Sequence, residues 1–140
     1  MNKGAIIGIS AGATAAAVIV IVALLLAPRL NFGDGRVPYD TNFSRPISAG
    51  NWDYLGVTLE DGEGWVVDYT STTSVNAYLL TEAQFQYFYN YGTVPTYLSY
   101  KSGMSGHFDY TATSSGNYMV LFRAGSSTTV SGTTTEYHWP

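Results

Sequence analysis

Trp65-Val66-Val67-Asp68-Tyr69-Thr70 alternates between apolar and mixed positions, so Trp65, Val67 and Tyr69 fall on one face of an extended chain and Val66, Asp68 and Thr70 on the other. That is the pattern of a half-buried strand in an antiparallel sheet. Phe108-Asp109-Tyr110-Thr111-Ala112 repeats it. Tyr118-Met119-Val120-Leu121-Phe122-Arg123 is apolar on both faces for most of its length and reads as a central strand. Asp61-Gly62 and Ser115-Gly116-Asn117 supply turns between such runs. The Thr-rich stretch from Thr128 to Tyr137 reads as a last strand that closes a sheet edge. Short strands separated by turn signals every 8 to 15 residues or so predict an all-β antiparallel sandwich, jelly-roll-like, rather than a parallel sheet.

One segment departs from the β pattern. Thr81-Glu82-Ala83-Gln84 has the form of a capping box, and Phe85, Phe88 and Tyr89 follow at helical spacing. This predicts a helix of about two turns starting at Thr81 and lying across one end of the sandwich.

Upstream of the β-rich part, Gly4 to Ala27 is a run of 24 uncharged residues. As a helix it spans roughly 36 Å, enough to cross a hydrocarbon core of about 30 Å. Its second half, Val18 to Leu26, is uniformly apolar, and Pro28 and Arg29 end it. The small residues Ala11 to Ala17 precede the most apolar stretch, the reverse of a cleaved secretory signal. The expected organisation is a flank at 1–4, a single transmembrane helix at 5–28, a linker at 29–46 and an extracytoplasmic β-sandwich at 47–140. Lys3 on one side and Arg29 and Arg36 on the other nearly balance the positive-inside count. The acidic, hydroxyl-rich character of the large part and the sequon Asn42-Phe43-Ser44, with Asn42 as a possible glycosylation site, set the expectation of a cytoplasmic N-terminus in the cell membrane. Gly4, Gly8, Gly12 and Ala16 recur every four residues and leave a groove for close helix packing against other transmembrane subunits or copies of the same chain.

Composition narrows the function classes. Charged residues make up 11% of the chain and aromatics 15%, with 12 tyrosines, so polarity comes from hydroxyls and amides. A net charge of −4 with six scattered Lys and Arg excludes a phosphate-binding surface, and with it nucleic acid as partner. The absence of cysteine excludes disulfides, thiolate metal sites and a cysteine nucleophile. His107 and His138 are the two histidines, too few for a three-histidine zinc site. His107 and Asp109 share a strand face, a spacing any polar face provides. Asp61-Gly62-Glu63-Gly64 lacks the alternating acids of a calcium loop and reads as a hairpin. No Gly-x-Ser-x-Gly elbow, phosphate loop or dinucleotide fingerprint occurs, and Ser102-Gly103-Met104-Ser105-Gly106 reads as a flexible turn. The expectation is therefore no catalytic, cofactor or metal residues. Tyr87, Tyr89, Tyr91, Tyr97 and Tyr100 cluster around the helix and its loop and form a candidate contact patch, with Phe85 and Phe88 assigned to the core.

The strand Val75-Asn76-Ala77-Tyr78-Leu79-Leu80, the helix at Thr81, a Gly-containing loop, Ser105 to Tyr110 and then Ser115 to Phe122 follow in an order that resembles small jelly-roll sandwiches of the GOLD and pre-peptidase C-terminal type. The resemblance covers about residues 50 to 138 and implies an extracytoplasmic, non-catalytic interaction module. Lys3-Gly4-Ala5 resembles the processing site of archaeal class III signals, carried by pilin-like proteins. The leading expectation is a non-catalytic, membrane-anchored accessory or structural subunit presenting its β-sandwich for protein contact. An archaeal pilin-like filament or cell-surface subunit, and a surface adhesin or ligand-binding module, remain alternatives.

Overall fold

The computed structural model describes residues 35–140, together with the backbone of Ala5–Ile7 and Val22–Ala23. Nine elements follow in chain order: β1 (Ala5–Ile7), β2 (Val22–Ala23), β3 (Val37–Ile47), β4 (Trp52–Leu59), β5 (Gly64–Thr81), α1 (Glu82–Tyr91), β6 (Ser99–Thr111), β7 (Gly116–Ala124) and β8 (Thr128–His138). The fold is antiparallel β-sheet with one short helix.

β5 organises the sheet. Along one edge it pairs with β6 for nearly its whole length; along the other, Gly64 to Ser71 pairs with β8 and Val75 to Thr81 pairs with β7. β7 and β8 are separated only by residues 125–127, so together they run back along β5 as one broken line. β3 and β4, separated by 48–51, run in the same way along β8 and β7. The interruptions at 48–51 and 125–127 and the register shift between Thr70 and Val75 fall at one level, and the sheet curls there.

Side-chain hydroxyls replace ladder hydrogen bonds at the curl. Ser71 Oγ donates to Thr73 O at 2.6 Å, Thr73 N donates to Thr128 Oγ1 at 3.1 Å, and Thr129 N donates to Thr72 Oγ1 at 3.0 Å. Short hydroxyl side chains satisfy backbone groups locally where strand pairing fails, which is why Ser and Thr occupy this bend.

The curl brings the inner faces of the two halves together in a sandwich-like core. Trp65, Val67, Tyr69, Phe43 and Val130 from one half meet Leu55, Val57, Val75, Leu79, Val120 and Phe122 from the other. Phe122 makes the contact explicit: its ring stacks on Phe43 at 6.3 Å and takes Tyr69 edge-on at 5.0 Å. A buried ion pair crosses the bend between β3 and β4. Arg45 Nε donates to Asp53 Oδ2 at 2.9 Å, and its Nη2 donates to Oδ1, with both side chains excluded from solvent. Burial raises the Asp53 pKa by more than Arg45 and the Tyr54 N–H lower it. The pair is therefore a constraint on how β3 meets β4 more than a source of net stability.

α1 begins as its sequence predicts. Thr81 Oγ1 accepts from Gln84 N at 3.2 Å, and Gln84 Oε1 accepts from Thr81 N at 2.9 Å, a reciprocal capping box. The helix ends on Gly92, in the left-handed conformation, whose N–H donates to Phe88 O at 2.7 Å. Phe85 and Phe88 pack with Leu80 and Leu121, and against Trp52, Tyr54, Tyr78 and Met119. These strand residues alternate with the inward ones, so α1 covers the outer face of the half built from β4, β7 and the end of β5.

Several expectations need correction. The stretch read as linker up to Pro46 is strand from Val37, paired residue by residue with β8. Trp65–Thr70 and Val75–Leu80 belong to one continuous strand, because the hydroxyl-rich segment between them bends without breaking. α1 lies on a face of the sheet rather than across its end. β8 sits between β5 and β3 and closes no edge. The transmembrane helix expected at 5–28 is not among these corrections: only Ala5–Ile7, paired with Leu55–Val57, and Val22–Ala23, paired with Thr41 and Asn42, belong to the described residues there. The rest of that helix, and Gly4, Gly8, Gly12 and Ala16 with it, lies outside the described residues. Among the described residues no helix is long and apolar enough to cross a membrane.

Removing one partner of the buried pair leaves a charge without its counterion. Asp53→Ala is expected to cost about 3–5 kcal/mol, whereas the double change Arg45→Met with Asp53→Leu returns to within about 1 kcal/mol of the parent in urea unfolding.

Candidate functional site

The helix periodicity that buries Phe85 and Phe88 turns the intervening tyrosines outward. All five residues of the predicted patch are exposed: Tyr87 45%, Tyr89 55%, Tyr91 68%, Tyr97 48% and Tyr100 40%. They form three local groups. Tyr87 and Tyr91, one turn apart on α1, have ring centroids 4.6 Å apart. Tyr97 and Tyr100 meet Tyr78, with centroid distances of 5.8 Å and 5.0 Å to Tyr78 and 5.8 Å to each other. Tyr89 leans instead on Trp52 at 6.2 Å and Phe85 at 6.4 Å, along the other flank of the helix.

The frame beneath these rings is fixed by specific bonds. Gln84 Nε2 donates to Thr96 Oγ1 at 3.4 Å and ties the loop after α1 back to the start of the helix. Leu98 N donates to Leu79 O at 2.8 Å and docks the end of that loop on β5. Arg123 lies over the Phe88 ring at 5.2 Å. Asn76 Oδ1 accepts from Tyr100 Oη at 3.0 Å and from Ser102 Oγ at 3.1 Å, so the outer face of the β5–β6 hairpin presents phenol, hydroxyl and amide groups together. Glu82, in the first turn of α1, accepts from Asn117 Nδ2 at 3.2 Å.

Compared with known proteins, the chain matches no family model, and no curated protein matches its sequence.

The remaining candidate residues go elsewhere. His107 Nδ1 bonds Asp68 Oδ1 at 2.6 Å across the β5–β6 ladder in an exposed pair, and does not share its partner with Asp109. Asp61–Gly64, read as a hairpin, is instead a turn between β4 and β5, which pair with other strands and not with each other; its Glu63 turns its carboxylate inward, where Glu60 N, Trp139 N and His138 bond it. Among the described residues no group of three His, Cys, Asp or Glu side chains is arranged to hold a metal ion. Ser102 to Gly106 is strand within β6, with Gly103 at the register shift, not a turn. Asn42 is exposed on β3 rather than on a linker.

Sequence reasoning missed Tyr78, Asn76 and Leu98 as parts of the tyrosine surface. The signal for the first two was available: Val75, Ala77 and Leu79 alternate inward, which places Asn76 and Tyr78 on the other face. Exposure and anchoring separate the two kinds of aromatic by stability. Tyr91→Ser is expected to change unfolding free energy by no more than about 0.5 kcal/mol, whereas Phe88→Ala costs about 3–5 kcal/mol in the same denaturation series.

Proposed function

We propose that this chain is a non-catalytic, membrane-anchored accessory or structural subunit whose β-domain contacts another protein outside the cytoplasm through the tyrosine surface of α1 and the β5–β6 hairpin. The observation that carries the reading is the exposure of all five tyrosines on a frame whose own aromatic residues, Phe85, Phe88 and Trp52, are packed beneath. Tyrosine offers a large contact area at low conformational cost, and rings held in place before contact lose little freedom on binding. The anchor rests on the 24 uncharged residues from Gly4 to Ala27, and close packing of that helix on other membrane helices rests on Gly4, Gly8, Gly12 and Ala16. The jelly-roll likeness to GOLD and pre-peptidase C-terminal modules belongs to the same proposal, supported by the curled antiparallel sheet and the helix between β5 and β6.

The pairing of Ala5–Ile7 with β4 and of Val22–Ala23 with β3 supports a rival arrangement, in which these two short segments add to the edges of the sheet instead of belonging to a membrane-crossing helix. Alkaline extraction of native membranes followed by mild-detergent purification of the tagged full chain separates the readings. The expected result is a chain that resists extraction and carries stoichiometric membrane partners. Those partners are lost on Gly8→Leu with Gly12→Leu, or on Tyr87→Ser with Tyr91→Ser. A chain released by alkali defeats the anchor. A chain that begins at Ala5 and is recovered as a homopolymer makes it a pilin-like filament subunit instead.

A further inference from the structure

The last residues of the described chain are fastened to the β4–β5 turn by a cluster that the tyrosine surface does not use. His138, at the end of β8, lies between two carboxylates: its Nδ1 is 2.9 Å from Glu63 Oε1 and its Nε2 is 2.8 Å from Glu136 Oε1. All three side chains are at most 4% exposed. Glu63 is held from the other side as well, with Oε1 accepting from Glu60 N at 2.8 Å and Oε2 from Trp139 N at 2.8 Å. Trp139 Nε1 donates to Asp61 O at 3.0 Å, and the indole lies flush on Gly62. With φ at +88° and a Cβ that would come 2.8 Å from the indole ring, position 62 accepts only glycine while Trp139 is in place.

We infer that residues 136–139 form a proton-dependent latch, closed when a proton occupies the bridge between His138 and Glu136 and loosened when that proton is lost. A neutral imidazole has one N–H. We assign that N–H to Nδ1, because Glu63, held by the Glu60 and Trp139 N–H groups, is the carboxylate kept ionised; the Nε2 lone pair then faces the Glu136 carboxylate, and the bridge there exists only if His138 or Glu136 carries a further proton. Without that proton two electron-rich groups are held 2.8 Å apart in a buried site, an arrangement that strongly favours opening.

The other titratable or charged groups around the imidazole do not supply a substitute. From β3, Tyr39 presents its ring at 6.0 Å, and Asp40 is turned to Thr135 Oγ1 at 2.9 Å. Just before β3, Arg36 lies over Tyr137 at 5.5 Å and reaches Gly62 O at 3.4 Å. From the turn, Glu60 and Asp61 contribute backbone groups. From β6, Tyr110 packs on Tyr118 with ring centroids 5.1 Å apart.

The directions of titration agree with the geometry. Burial works to lower the His138 pKa, but its bonds to Glu136 and Glu63 and their charges outweigh it and raise the value. Burial, aided by the Glu63 charge, raises Glu136 despite His138. For Glu63 burial works upward, and the Glu60 N–H, His138 and the Trp139 N–H overcome it and hold the carboxylate low. A raised histidine value gives stability that is complete below the ordinary 6.5 and lost as pH rises through the folded value. The raised Glu136 value acts in the same direction. The lowered Glu63 value gives stability present above the ordinary 4.5 and lost as pH falls through the folded one. Because the Glu136 contribution is complete only below the ordinary 4.5, while Glu63 contributes only above its own lowered value, the latch is tightest near pH 4.5, keeps the whole His138 contribution up to 6.5 and loosens toward alkaline pH.

Nuclear magnetic resonance of the full chain in detergent, from pH 5 to 9 at fixed ionic strength, tests this. The expected result is an imidazole of His138 that titrates above 6.5, with the Trp139 indole N–H losing hydrogen-exchange protection in step. The loss is about tenfold for each unit of upward shift after correction for base-catalysed exchange, while Trp65 stays protected. Glu136→Gln is expected to move the His138 midpoint down and to remove the alkaline loosening, because the amide NH2 can donate to the neutral imidazole Nε2 where the carboxylate could not. Flat Trp139 protection across the range overturns the latch in the wild-type chain, whether or not the variant folds. So does a folded Glu136→Gln chain, judged by its Trp65 indole signal, with an unmoved midpoint.

Discussion

Everything in this fold answers to the hydrogen-bonding demand of β5. Its 18 residues carry backbone donors and acceptors on both edges, and buried ones must be paired. β6 meets one edge. No single strand meets the other: β8 takes the first part and β7 the second, and the change of partner coincides with the hydroxyl-rich bend at Ser71 to Ser74. Once β7 and β8 follow β5 around that bend, β3 and β4 must do the same to pair with them, and the curl that closes the core follows.

A chain so poor in charge nevertheless spends several ionic groups inside. Arg45 and Asp53 tie β3 to β4 at the bend, and Glu63, His138 and Glu136 tie the end of β8 to the β4–β5 turn at the opposite end of the same half. Neither cluster is an economical source of stability, because desolvation offsets most of the attraction. What they supply is exclusion of alternatives. A one-residue slip of β3 against β8 turns Arg45 away from Asp53, and a slip of β8 against β5 displaces His138 from Glu63. In a sheet with long Thr- and Ser-rich strands, where hydrophobic alternation alone specifies register weakly, such buried charges fix it.

This also explains which parts were legible in the sequence. Trp65–Thr70, Tyr118–Arg123 and the capping box at Thr81 were readable because their signals are local: an alternation, a doubly apolar run, a reciprocal pair three residues apart. β3 was not, since its inward positions Phe43, Arg45 and Ile47 include a charged residue, and Pro38, Asp40 and Pro46 look like punctuation. Only the presence of Asp53 on the next strand makes Arg45 an inward residue. The outward tyrosines of α1 followed from the Phe85 and Phe88 stripe, whereas the part played by Tyr78 depended on knowing that β6 pairs beside it. The His138 cluster draws on positions 63, 136 and 138, and no spacing in the chain announces that they meet.

The two features with functional potential occupy different halves of the curl. The tyrosine surface lies over the half made by β4, β7 and the end of β5, on a helix anchored by Phe85, Phe88 and Trp52. The histidine cluster lies where β8 ends and β5 begins, in the other half. They are joined through β4, β5 and β6, which run from one to the other, and through the core between, where Phe122, Phe43 and Tyr69 interlock. Close-packed cores transmit displacement, but local opening at a strand end stops where well-packed contacts begin. A chain built this way can loosen residues 136–139 with rising pH and still present the same aromatic surface, because the rings of that surface rest on Tyr78, Trp52 and Phe85, at the far end of those strands from the latch.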